Sequence, residues 1–311
     1  MHTPPFVWHL KGRDIGPTVV ILAGVHGDEL PGLEVLQCLL RYFDLGDKSP
    51  GSYHERQLSG QLYLGFGNPE AILKRTRGAS KNLDLNRSFR PKLLGRKPGP
   101  RDSTDLVRAR ELAPLLARCD VLIDLHATIT PSPPFVYCDR LTEKHREFSS
   151  LLPVKHLLTD SFGRFGGTAL GSTDAYVDAR GGTGLCYEVD HKDVLTSRFA
   201  FGGVMNILGY LGLIKPKPFA CQDYHHGQTT YTLTKELLAE HAGFSFEPNL
   251  NQGFAVVKRG QRIGTYHNRG SSPITSPSDA VLVLQREAGP EIKPGDILGY
   301  LAIPFNPPLK K

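Results

Sequence analysis

A histidine and a glutamate stand three positions apart in GVHGDELPG at residues 24–32, directly after the apolar run TVVILA. A second histidine, His126, closes VLIDLH, and Glu188 lies within GLCYEV. Each sits where a strand-like apolar run gives way to polar sequence, and in open α/β sheets ligands bind at such carboxyl ends of strands. Imidazole nitrogen and carboxylate oxygen are donors that zinc accepts, and a catalytic zinc typically keeps three protein ligands and one position for water. His26, Glu29 and His126 would fill those three places, for one Zn2+ per chain. Glu188 would then act as general base and later as general acid. Asp124 stands two residues before His126, hence on the same face of an extended strand, where it could orient the imidazole. The competing reading makes His26 and Glu29 ordinary polar loop residues, because HxxE recurs by chance in a chain with 12 histidines.

A second motif, RTRGASKNLDLNRSF at 75–89, places Arg77, Asn86 and Arg87 between the first two candidate ligand segments. A guanidinium donates two parallel hydrogen bonds to a carboxylate and a neighbouring amide adds another, so Asn86 and Arg87 could grip a substrate carboxylate. Arg77 could face a scissile carbonyl. The alternative is a solvated basic loop.

These groups need a scaffold. From residue 18 to about 210, strand-like runs such as QLYLGF alternate with helical patterns such as LEVLQCLLRYF and ARELAPLLARC. That rhythm predicts an α/β domain with a largely parallel sheet. A first helix is expected to begin near Pro31, with Leu33, Leu36, Leu39, Leu40 and Phe43 on one face, and a second near Pro69 with Asn68 as its cap. After KPKPF at 215–219 the texture shifts to short alternating runs rich in Gly and Pro, so the expected division is 1–215 and 220–311, the second part β-rich and barrel-like. Its turns KRGQRIG and KPGDIL resemble hairpins of biotinyl and lipoyl carriers, but the comparable turn SPSDAV has no lysine to carry a cofactor.

Composition bounds the function. The chain has 311 residues, 40% hydrophobic and 22% charged, as in a soluble globular protein, and the longest apolar runs are far short of a transmembrane helix. The net charge of +6 is scattered, apart from RPKLLGRKPGPR at 90–101, which reads as a solvated loop. Without interleaved basic and aromatic residues, no nucleic-acid partner is expected. The N-terminus shows no secretory pattern, and five cysteines without CxxC spacing argue against a disulfide framework, so a cytoplasmic location is expected.

With GVHGDELPG, NLDLNRSF, IDLHAT and CYEVD in this order, the chain resembles the succinylglutamate desuccinylase/aspartoacylase family of zinc metallocarboxypeptidase-like hydrolases. The resemblance implies a carboxypeptidase-like, mostly parallel central sheet flanked by helices, with a smaller C-terminal β-rich domain. It implies zinc on His26, Glu29 and His126, Glu188 as base and acid, Arg77 polarising the carbonyl, and Asn86 and Arg87 on a carboxylate. It also implies an arginine before the catalytic glutamate for a second acidic group, with Arg180 the nearest candidate, and a tyrosine from the second domain, with Tyr300 one candidate among several. The implied reaction is hydrolysis of the amide bond of a small N-acyl amino acid or related carboxylate. Alternatives are a metallocarboxypeptidase or peptidoglycan-peptide amidase and, from another class, a metal-containing binding protein, against which Glu188 argues. A homo-oligomer stays open.

Overall fold

The computed structural model describes residues 3–45, 58–81, 83–161, 163–165, 171–191, 194–215, 227–268, 270 and 272–305. Its frame is a sheet built from β1 (Val7–Lys11), β2 (Asp14–Ala23), β3 (Ser59–Phe66), β4 (Val121–His126), β5 (Phe135–Cys138), β6 (His156–Thr159), β7 (Thr183–Glu188) and β8 (Thr229–Leu238). Their order is β1-β3-β2-β4-β7-β5-β6-β8. The pairs β3/β2, β2/β4, β4/β7, β5/β6 and β6/β8 are parallel, and β1/β3 and β7/β5 are antiparallel. The expected α/β fold with a mostly parallel sheet is what the chain adopts.

Strand alternation splits the apolar residues between two cores. Val19, Ile21 and Ala23 of β2, with Val121, Ile123 and Leu125 of β4, pack with α1 (Leu30–Tyr42) and with Val204 and Leu208 of the later helix Val194–Tyr210. Val20 and Leu22 of β2 and Leu122 of β4 face the opposite way, where Leu112 and Leu116 belong to the helix Thr104–Leu116 and Tyr176 and Val177 to the helix Thr173–Asp178. Every residue of β4 is buried. Truncating a buried leucine of this kind to alanine costs about 2–5 kcal/mol. By the same alternation Asp124 and His126 share the face of Leu122, and Cys186 and Glu188 face the same side.

Helix α1 begins one residue before Pro31, with Leu33, Leu36, Leu39 and Phe43 buried as expected. Asn68 caps the helix Pro69–Lys74 by accepting from the Ala71 N–H at 3.3 Å. Gly27 passes so near this helix that a Cβ there would sit 2.0 Å from the Ala71 carbonyl carbon. Part of the basic stretch at 90–101 is organised rather than free, since Arg96 and Arg110 both pair with Asp102.

The C-terminal residues extend the same sheet. Strand β8 continues into Ile297–Pro304, Ala280–Val283 and Ala255–Val257, all antiparallel. A smaller antiparallel sheet of Ile274–Thr275, Arg262–Tyr266 and Phe244–Phe246 shares a core with these strands, in which Phe244 and Ile263 join Leu282. The stretch 216–226, where the sequence places the boundary between the two parts, lies outside the described residues.

Candidate metal centre and active site

Three elements bring the chemistry together. His26 and Glu29 lie in the turn between β2 and α1, His126 ends β4, and Glu188 ends β7 directly beside His126 in the parallel register. Nδ1 of His26 is 2.7 Å from Oε1 of Glu29, and Nδ1 of His126 is 2.9 Å from Oε2. The donor atoms of the three residues lie within 4.8 Å of one another and all three are buried, a group that could hold a metal ion. Glu29 occupies the N-cap position of α1 but makes no side-chain cap. An N-cap hydrogen bond is worth about 1 kcal/mol. The carboxylate is turned instead to the two imidazoles and to the Ala127 N–H at 3.0 Å.

Other carboxylates lie on the far sides of both rings. Oδ2 of Asp124 lies 3.0 Å from Nε2 of His126 and also accepts from the Thr173 hydroxyl. Asp84, a residue that the sequence reading missed, has Oδ1 3.8 Å from Nε2 of His26 and accepts from Nε of Arg77 at 3.1 Å. Its signal was visible only as the aspartate inside NLDLNRSF. Burial would depress both imidazoles. The Glu29 carboxylate outweighs it at His26, and Asp124 with Glu29 at His126, so the first is held above the usual histidine range and the second well above it. Burial would likewise raise Glu29, but His26 and His126 hold it well below the usual carboxylate range. Neutral imidazoles and an ionised carboxylate are the metal-binding forms, and a bound cation would take over the stabilising role of the ring protons.

Glu188 borders the same space. Burial first, and the Glu29 carboxylate second, push it up to about 7. Its Oε2 is buried with no hydrogen-bond partner among the described residues. A buried carboxylate left this way is costly unless the site meets it with a proton, a cation or a reacting group.

A cleft of about 260 Å³ opens beside these groups, room for a small molecule. Arg77 and Arg87 line it from the 75–89 segment, and Tyr300, Leu284 and Gln285 line it from the C-terminal part. Nη1 of Arg77 is 3.9 Å from Oε1 of Glu29. Asn86 also borders the cleft, yet its amide is already engaged, with Oδ1 accepting from the Thr173 N–H at 3.2 Å and Nδ2 3.2 Å from Nε2 of His126. Burial, with Glu236 next, pushes the Tyr300 phenol up to about 12, so it stays protonated. Arg180 does not join this group. It follows the helix Thr173–Asp178, before β7 begins, and so lies at the end of the sheet opposite Glu188. There it is exposed and stacks on Tyr176 at 3.4 Å, with Nη1 donating to the Tyr176 carbonyl. The four described cysteines are free thiols.

The cleft contains two further acids that the sequence reading did not select, Asp139 and Asp174. Asp139 directly follows β5 and accepts from the Tyr137 hydroxyl at 2.8 Å. Asp174 lies in the first turn of its helix, and burial, then the Asp139 charge, push it up to about 7.

Sheet order and a buried His–Glu–His group at the carboxyl ends of β2 and β4 define an α/β protein with a candidate metal centre. Residues 15–189 match the model of the succinylglutamate desuccinylase/aspartoacylase catalytic domain, so the chain belongs to that family. It is similar to an N-acyl-aromatic-L-amino acid amidohydrolase (carboxylate-forming) of Xenopus tropicalis, 33% identical over 114 residues. That stretch is 35% of this chain and spans only 33% of the relative's length. The fold matches the crystal structure of a succinylglutamate desuccinylase/aspartoacylase from Rhodobacter sphaeroides, with TM-score 0.72, 20% identity, and coverage of 96% of this chain and 89% of that one. An aspartoacylase family protein from Mesorhizobium loti gives TM-score 0.67 and 22% identity, covering 98% and 96%.

Proposed function

We propose that this chain is a zinc-dependent amidohydrolase that removes the acyl group from a small N-acylated amino acid or related carboxylate. The observation that carries the reading is the Glu188 carboxylate, whose buried Oε2 has no hydrogen-bond partner among the described residues, beside the His26, Glu29 and His126 donor set. Two imidazoles and a carboxylate suit zinc, which supplies a Lewis acid that polarises a carbonyl and makes water a nucleophile near neutral pH.

The protein's own groups do the rest. Glu188 accepts a proton from the attacking water as its oxygen bonds to the carbonyl carbon. The same proton is then returned to the amide nitrogen as the carbon–nitrogen bond breaks, leaving a carboxylic acid and an amine. Arg77, held through its Nε by Asp84, presents positive charge to the oxygen on which negative charge develops. Arg87 receives the substrate carboxylate, and Asn86 keeps the ring of His126 and the start of the helix at Thr173 in register with it. The wall that Tyr300, Leu284 and Gln285 add to a cleft of about 260 Å³ favours a small substrate over a peptide.

The family and the amidohydrolase relative support amide hydrolysis, and the donor set supports the metal. A screen of N-acetyl, N-succinyl and N-formyl amino acids with zinc-loaded protein, read out as free amine, tests the reading. Release of amine that stops on chelation and returns with zinc is expected; hydrolysis untouched by metal removal would refute it.

A further inference from the structure

We propose that Thr173 is a positioning residue for His126, acting through the two side chains that flank the Nε2 edge of the ring, and that its hydroxyl raises the affinity of the centre for zinc. The inference rests on the zinc reading given above. Thr173 is fully buried and does not line the cleft, so whatever it contributes must pass through its neighbours.

Both of its polar groups are committed to that edge. The hydroxyl donates to Oδ2 of Asp124. The N–H, one of the first-turn amides that a helix leaves without an internal partner, donates to Oδ1 of Asn86 at 3.2 Å. Oδ2 of Asp124 lies 3.0 Å from Nε2 of His126, and Nδ2 of Asn86 lies 3.2 Å from the same nitrogen. Oδ1 of Asp124 has no hydrogen-bond partner among the described residues, so the carboxylate is held by Oδ2, the oxygen that Thr173 shares with the ring.

The N–H settles which end of the Asn86 amide meets the imidazole. With Oδ1 taken by Thr173, Nδ2 faces Nε2, and an amide nitrogen does not accept a proton from the ring. A flipped amide would put its oxygen there and compete with Asp124. The arrangement leaves Asp124 as the acceptor for the Nε2 proton, and Nδ1 keeps its lone pair for the metal.

The fold fixes Thr173 from both directions. Before it, the Gly171 carbonyl accepts from the Phe89 N–H at 3.0 Å, which ties this approach to the segment carrying Asn86. Gly171 has φ +83°, and a Cβ there would fall 2.7 Å from the Arg90 nitrogen, so the approach requires glycine. After it, Oδ1 of Asp178 accepts from the Gly184 N–H at 2.8 Å and holds the helix Thr173–Asp178 on β7.

The test is zinc affinity, by competition with a chromophoric chelator, for wild type, Thr173→Val, Thr173→Ser, Asp124→Asn and the double variant Thr173→Val/Asp124→Asn. Thermal unfolding of the metal-free proteins and turnover by the zinc-saturated ones accompany it. Valine keeps the shape of threonine without the hydroxyl, and serine keeps the hydroxyl without the methyl. Thr173→Val should weaken zinc binding by about tenfold, the lower end of what losing an outer partner costs. Thr173→Ser should stay near wild type, and the valine substitution should cost little further affinity once Asp124 is already Asn, because the route through the carboxylate is gone. The backbone N–H survives in Thr173→Val, so KM at saturating zinc should stay near the wild-type value. Thr173→Ala gives the same contrast with serine if valine disturbs folding. Unchanged zinc affinity without the hydroxyl, equal losses in the valine and serine variants, or an undiminished loss in the Asp124→Asn background would each overturn the role of Thr173. A wild type that takes up no zinc would refute the metal reading and this role with it. The expected affinity pattern without amine release from any acyl substrate would refute the deacylase reading alone and leave Thr173 in place.

Discussion

Oδ2 of Asp124 lies 3.0 Å from Nε2 of His126, on the side of the ring away from Glu29. A carboxylate there favours the tautomer with its proton on Nε2, which leaves the Nδ1 lone pair directed toward Glu29 and the candidate metal position. Replacing Asp124 with Asn should therefore weaken zinc binding by about 10- to 100-fold, the usual effect of losing such a partner. Competition titration with a chromophoric chelator measures it. Unaltered affinity would mean that Asp124 serves only the Thr173 contact.

Arg87→Lys should raise KM for a carboxylate substrate by about tenfold with zinc content unchanged, because a point charge does not reproduce the planar fork. The comparison is with the same substrate carrying a carboxamide. If the substitution harms both substrates equally, Arg87 does not read the carboxylate.

Metal uptake should release protons. His26 is held above its ordinary range and His126 well above it, so protons on these rings compete with a bound metal. Apparent zinc affinity should then rise with pH through the titration of these rings. Calorimetry in two buffers of different ionisation enthalpy should show net proton release on zinc binding, smaller as pH rises. Release of none would place both rings in the neutral form beforehand.

Asp174 makes a stability prediction of definite sign. Its carboxyl titrates at about 7 in the folded chain. An unfolded aspartate titrates near ~3.9. The contribution to stability is whole below about pH 4 and is lost as pH rises toward 7. Asp174→Asn should accordingly raise unfolding stability at pH 8 by about 2–4 kcal/mol and change it little at pH 4. Urea denaturation in amine-free buffer at the two pH values checks this, and equal effects at both would contradict it.

Much of this architecture was legible because it is local. Apolar runs that end in His or Glu state which strand ends carry chemistry, and the parity of VLIDLH sets Asp124 and His126 on one face. Helix starts at Pro31 and Pro69 followed from chemistry within a few residues. What was not legible depends on partners far apart in sequence. Arg180 stands eight residues before Glu188, but a whole strand of the intervening chain carries it to the opposite end of the sheet. Asp84 and Asp174 look like routine loop and helix-start acids until His26 and Asp139 are brought against them. The join of β6 to β8 lets the C-terminal strands continue the central sheet, a pairing that no local pattern announces.

Turnover and zinc content of Glu188→Gln, measured together, test the central claim most directly. Glutamine keeps the shape and the hydrogen-bonding capacity but cannot take and return a proton. The expected result is full zinc occupancy, near-normal calorimetric affinity for the amine product, and a kcat lower by about 10²–10⁴-fold on a confirmed amide substrate. Unchanged turnover would contradict the account by showing that another group moves the proton, and loss of zinc would make Glu188 a ligand instead of the base.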